Sequence, residues 1–147
     1  GCSLALLSCL LPNFLNLFMV GFASSFSAKL SDTFSSEIGK RFGKRTFLIT
    51  TLKPVSPGTE GAISVEGSIA GLLGSFIMTV FMLNLSIISG LSVAFIVFLS
   101  GYLATFLESY IGAVVQNKID WMTNELVNSI QTSIAAIISI FLYLNFV

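Results

Sequence analysis

Four carboxylates, Asp32, Glu37, Glu66 and Glu108, lie within or at the ends of strongly apolar runs. An acid at the centre of a membrane helix costs ~2.5–3.5 kcal/mol on insertion scales, and less near the interface. One such acid can be tolerated; four at a similar depth suggest a shared cation. Mg²⁺ suits the role, because it takes carboxylate oxygens together with phosphate oxygens and needs no complete protein cage. The other reading is neutralisation of the same acids by Lys29, Lys40 and Arg41 as structural ion pairs. Acids inside membranes are usually functional, which favours the cation.

A second group with chemical potential is Lys53-Pro54-Val55-Ser56-Pro57-Gly58-Thr59-Glu60-Gly61. Its prolines stiffen the backbone, and Gly58 and Gly61 permit positive φ and close approach. Backbone amides leading into a helix near Ile63 would form an anion site at a helix N-terminus. Between a basic cluster and a carboxylate-bearing helix, this stretch reads as a phosphate cradle. The GKRFGKR run is not a Walker A loop, because the G-x-x-x-x-G-K-[ST] spacing is missing and no strand precedes it. The chain has no His, which removes Ser-His-Asp and Cys-His catalysis and His-ligated zinc.

The elements that must position these groups are membrane helices. The chain is 54% apolar and 10% charged, with mean hydropathy +0.94, against a charged fraction of ~25% in ordinary soluble domains. Between Ala28 and Gly71 lie six of the seven Lys and Arg residues and four of the seven Asp and Glu residues. That concentration predicts a cytoplasmic catalytic loop over residues 29–62 inside a single integral membrane domain, 1–147. Helices are expected over Gly1–Leu11, Phe14 to about Ser31, Ile63–Leu85, Leu91–Gly112 and Glu125–Val147. The expected fold is an all-α polytopic transmembrane bundle with five helices visible. The chain opens inside an apolar run without Met, as a fragment lacking earlier helices would. Lys40, Arg41, Lys44, Arg45 and Lys53 place their loop in the cytoplasm, Lys118 agrees, and the uncharged Asn84–Gly90 loop goes to the far side. Net charge is zero, and nothing suggests nucleic acid. No oligomeric state follows from the sequence.

Small and polar residues recur at helical spacing: Ser64, Gly67, Gly71 and Gly74; Ser100, Ala104, Glu108 and Gly112; Asn124, Asn128, Thr132, Ala135 and Ser139. For Gly, Ala and Ser this is a packing signature in lipid. Ala28–Ser36 also aligns without gaps on Ala104–Gly112, superposing Asp32 on Glu108, so the two acids are expected at similar depth. Cys2 and Cys9 are roughly 10 Å apart on a helix, beyond the ~7 Å limit for a disulfide, and read as packing residues.

SAKLSDTFSSEIGK, TTLKPVSPGTEGAISVEGSIAG and ESYIGAVVQNK together closely resemble the phytyl-phosphate kinase family of the vitamin E pathway, from about Phe22 to the end. The resemblance implies an integral membrane enzyme of bacterial, thylakoid or plastid-envelope membranes. It would phosphorylate phytyl phosphate to phytyl diphosphate with a nucleoside triphosphate. A looser similarity reaches CTP-dependent polyprenol kinases and cytidylyltransferases, through Asp32, Gly39-Lys-Arg-Phe-Gly43 and Lys53…Gly58-Thr-Glu60-Gly61. Ser31 where a Gly usually precedes the Asp, and extra residues between Lys53 and Glu60, leave CTP or another NTP open as donor. On this reading Mg²⁺ is held by Asp32, Glu66 and Glu108, with Glu37 and Glu60 as further acids. Lys29, Lys40, Arg41 and Lys53 neutralise phosphate oxygens, Gly58, Thr59, Gly61 and Ser64 cradle them, and the prenyl tail lies in lipid or along the Gly67–Gly74 face. An ion or lipid transporter is the alternative from another class. The charge-free runs Leu72–Leu83 and Leu91–Leu99 argue against a permeation path near the midplane.

Overall fold

The computed structural model describes residues 1–115 and 121–147. Of the polar loop expected over Gln116–Asn124, residues 116–120 with the topological marker Lys118 lie outside the described residues. Helix α1 (Cys2–Leu10) turns through a 3₁₀ segment at Pro12–Phe14 into α2 (Leu15–Phe42). Strands β1 (Thr46–Leu48) and β2 (Ala62–Ser64) follow, then α3 (Val65–Asn84), α4 (Leu91–Val114) and α5 (Asn124–Phe146). The fold is the expected polytopic helical bundle, with one small antiparallel hairpin added at its polar end. Helices α3, α4 and α5 are long and apolar enough to cross a membrane.

Helix α2 is the centre of the bundle and packs against α1, α3, α4 and α5. Its inner positions are therefore filled by small residues: Ala23, Ser24, Ser27, Ala28 and Ser31 are fully buried. In lipid no hydrophobic drive pulls helices together, so close backbone approach and buried hydroxyl bonds must serve. Ser27 Oγ lies 2.8 Å from Ser75 Oγ on α3, and Thr105 Oγ1 on α4 donates to Ser31 Oγ at 2.9 Å. A Cβ on Gly67 would meet the Ser35 carbonyl at 2.8 Å, and one on Gly74 would meet that of Leu30 at 2.8 Å. The small-residue stripe of α3 is therefore a helix contact. The Gly67–Gly74 face is filled by the α2 backbone, so the prenyl tail cannot lie along it, which corrects that expectation.

A second correction concerns residues 29–62. Helix α2 does not stop near Ser31 but runs on to Phe42, capped at Gly43. Ser31–Ser36 are only moderate helix formers, so packing against α3 sustains the helix here, and no proline interrupts it before Pro54. The remainder is loop and turn around two three-residue strands. β1 pairs with β2 in the register Thr46↔Ser64, Phe47↔Ile63, Leu48↔Ala62, and on its other edge Phe47 bridges Pro54. β1 thus lies between β2 and the Lys53–Val55 segment. Ser64 ends the hairpin and caps α3, its Oγ accepting the Gly67 amide hydrogen at 3.0 Å.

Candidate active site

Where α2, the hairpin, α4 and α5 meet at the polar end, they enclose a cavity of about 290 Å³. The long polar half of α2 supplies Lys29, Asp32, Glu37 and Lys40. The segment before α3 supplies Gly58, Thr59, Glu60, Gly61 and Ser64, α4 supplies Glu108 and Ser109, and α5 supplies Asn124 and Asn128. Asp32 and Glu108 line the same cavity, consistent with the similar depth expected from their matched positions in the two nine-residue stretches.

Two features fix the floor and wall. Gly61 has φ +75° and lies so close to α4 that a Cβ would come within 2.5 Å of the Ser109 carbonyl oxygen. Any other residue would strain the backbone and push the loop off Glu108. Gly58, with φ +88°, has open space around it, so its part is the turn alone. Thr59 closes that turn, its hydroxyl donating to the Ser56 carbonyl at 2.8 Å.

The electrostatics are organised around Lys29. Its Nζ contacts Asp32 Oδ2 at 3.1 Å and donates to Asn128 Oδ1 at 2.9 Å, tying α2 to α5. The Asp32 side chain is only 13% exposed, whereas Glu37, 3.8 Å from Lys40, is 70% exposed. The first is a shielded pair; the second is a solvent-screened one of small energetic weight. Glu108 feels the charges of Asp32, Glu60 and Lys29, and Ser109 Oγ donates to its Oε2 at 3.4 Å.

Three expected site residues are elsewhere. Arg41 is on α2 about 120° round the helix from Lys29, with its guanidinium 5.5 Å from the centre of the Phe42 ring. Lys53 is on the outer edge of the hairpin, with β1 between it and the cavity. Glu66, in the first turn of α3, is not part of the lining, so Asp32, Glu66 and Glu108 do not form one ligand set. Conversely, the sequence places Asn128 in a polar stripe without assigning it to the site; its place as the Lys29 acceptor is set by α5 packing on α2. The available signal was an Asn in a polar stripe on a membrane helix.

The lining carries four carboxylates against two ammonium groups. Such a cavity repels a bare phosphate and attracts cations. Among the described residues no group of three or more acids is close enough to hold a metal alone. One or two carboxylates completed by phosphate oxygens is the usual mode of Mg²⁺, and Asp32 and Glu108 fit it.

Comparison with known proteins agrees with this architecture. Residues 1–136 match the family described as integral membrane protein DUF92. An uncharacterised membrane protein of the cyanobacterium Synechocystis is 51% identical over 82% of this chain and 46% of its own length. Protein VTE6, chloroplastic, of Arabidopsis thaliana is 47% identical over 86% of the chain and 38% of its own, which bears out the family resemblance carried by the sequence motifs. An uncharacterised membrane protein of Methanocaldococcus jannaschii is 34% identical over 87% of the chain and 52% of its own. The chain thus spans about half the length, or less, of these relatives. No solved structure matches. By family and by its three apolar helices, the chain is a multi-pass integral membrane protein and belongs to the DUF92 family.

Proposed function

We propose that the protein containing this chain transfers the γ-phosphoryl group of a nucleoside triphosphate to phytyl phosphate, in prenyl-lipid synthesis of the vitamin E type. The observation that carries the reading is the convergence of Asp32, Glu108, Glu37 and Glu60 with Lys29 and Lys40 on one cavity at the polar end of a membrane bundle. The similarity to the chloroplastic protein VTE6 supports the substrate class.

Phosphoryl transfer needs positioning and charge neutralisation more than covalent help. An oxygen of the acceptor monophosphate attacks the γ-phosphorus, the β–γ bridging P–O bond breaks, and the nucleoside diphosphate leaves. The acceptor is already an anion, so no strong general base is needed, in keeping with a chain lacking His. Asp32 and Glu108 would hold Mg²⁺, which would supply charge neutralisation at the β- and γ-oxygens. Lys29, anchored by Asn128, retains one N–H donor beyond its two described contacts and can direct it to a phosphate oxygen. The backbone at Gly58–Gly61 and the Ser64 hydroxyl close the other wall. The lipid tail stays in the bilayer beside the bundle.

The test is an assay of the complete protein in lipid with phytyl phosphate, Mg²⁺ and CTP, ATP, GTP or UTP in turn. Formation of phytyl diphosphate with at least one nucleotide is the expected result. Absence of product with all of them removes the kinase reading and reopens the cytidylyltransferase-like and transport alternatives.

A further inference from the structure

The cations left outside the cavity form a second constellation. Arg41, Lys44 and Arg45 follow one another at the end of α2 and its exit, and Lys53 pairs back onto the far end of β1, its carbonyl accepting the Leu48 amide hydrogen at 3.0 Å. None of the four lines the cavity, and no ion pair to any of them occurs among the described residues. Two large apolar side chains stand among them: Phe42 is 59% exposed and Leu52 68% exposed. Leu52 also has φ +52°, a left-handed conformation that a leucine rarely adopts. The tight turn from Leu48 holds it there, the Leu52 amide donating to the Leu48 carbonyl at 2.8 Å. An observed outlier of this kind in an exposed apolar residue calls for a functional explanation.

Depth decides what these groups meet. Gly43 packs against Ser64, with a Cβ there falling 3.0 Å from Ser64 Oγ, and Ser64 is the cap of the membrane-spanning helix α3. The Arg41–Arg45 part of the basic cluster is therefore level with the first turn of a span, at the boundary between hydrocarbon and water, and β1 carries the chain from there to Lys53. Val65, the first residue of that span, is 69% exposed on the same rim. Cations at this depth reach the headgroup layer, while apolar neighbours enter the acyl boundary.

We infer that Arg41, Lys44, Arg45 and Lys53, with Phe42 and Leu52, form a docking surface for the headgroups of anionic phospholipids. The hairpin is thereby pinned to the membrane surface beside the cavity mouth. Basic side chains supply attraction to the negative leaflet, and the two apolar side chains supply insertion. The inference does not depend on the kinase reading, since it concerns charges that the cavity does not use.

A fluorescent reporter tests it. With Trp121→Phe removing the native tryptophan, Leu52→Trp and, separately, Phe42→Trp are placed in the full chain. Each is reconstituted in vesicles of phosphatidylcholine or of equal parts phosphatidylcholine and phosphatidylglycerol, with and without brominated acyl chains. Stronger bromolipid quenching in the anionic vesicles is expected for both reporters. Raised salt should weaken it, and replacing the four cations by Gln should bring it down to the zwitterionic level. Equal quenching in the two vesicle types, no quenching, or quenching unaffected by the Gln substitutions overturns the proposal. So does a response to added inorganic phosphate in zwitterionic vesicles without one to anionic lipid, which would assign the cluster to a soluble anion.

Discussion

The cavity and the hairpin rim draw most of their charges from the same polar stretch of chain, yet those charges are opposite in balance. The cavity gathers four acids around two lysines, one of them clamped between Asp32 and Asn128. The rim holds Arg41, Lys44, Arg45 and Lys53 beside exposed Phe42 and Leu52. Charge in a membrane sequence reports depth, because both signs must avoid hydrocarbon. It does not report azimuth. Lys40 lines the cavity and Arg41 does not, because adjacent residues are about 100° apart around a helix. An acidic interior suits a ligand that brings its own divalent cation, whereas a basic exterior suits an anionic surface.

The comparison requires both regions to face the same side of the membrane, and this gives the largest, all-or-none effect. With Cys2 and Cys9 replaced by Ser, Arg45→Cys should be labelled by an impermeant maleimide only from the cytoplasmic side. Ser86→Cys, in the turn between α3 and α4, should be labelled only from the other. Labelling of both from one face breaks the arrangement. Next come the cavity acids: Asp32→Asn and Glu108→Gln should each lower the rate of phytyl diphosphate formation by roughly a hundredfold or more, by analogy with losing a preorganised electrostatic group. Expression and insertion should be unchanged.

Gly61→Ala should destabilise the protein by ~1–3 kcal/mol from backbone conformation alone, with the clash against Ala113 and Ser109 adding to it. A lowered melting temperature in lipid would report this, and an unchanged one would mean that the loop is free to move away from α4. Asn128→Ala removes one acceptor from Lys29 and should cost about tenfold in rate, consistent with a hydrogen bond to a charged group. Asn128→Asp should restore part of that loss by keeping an acceptor oxygen. Smallest of all, Lys53→Met should change turnover by less than about threefold, the range of ordinary surface substitutions within ±0.5 kcal/mol. A larger loss would move Lys53 from the rim into the site.

How much of this was legible depended on the kind of force involved. The helices and their Gly, Ala and Ser stripes follow from hydropathy and spacing, and the buried contacts of Gly67 and Gly74 against α2 agree with that reading. The similar depth of Asp32 and Glu108 was legible from two matched stretches at the ends of inward-running helices; that both turn into one cavity depends on how α2 packs on α4. The continuation of α2 to Phe42 was not, because Ser31–Ser36 and Gly39 have modest helix propensity and the packing against α3 that sustains the helix leaves no local signal. The hairpin was hidden by its brevity: two strands of three residues, with a turn closed by a leucine at φ +52° in place of Gly or Asn. Separation of Lys53 from the cavity is a consequence of strand order, which no local pattern encodes.

The most direct test of the account is the initial rate of phytyl diphosphate formation by the complete protein as a function of Mg²⁺, measured in parallel for four variants. The account predicts that Asp32→Asn and Glu108→Gln lose turnover or require far more Mg²⁺, while Arg41→Gln and Lys53→Met follow the unmutated Mg²⁺ dependence. Near-normal turnover of both acid variants at limiting Mg²⁺, together with loss of activity in the rim variants, would contradict it and place the chemistry on the basic face.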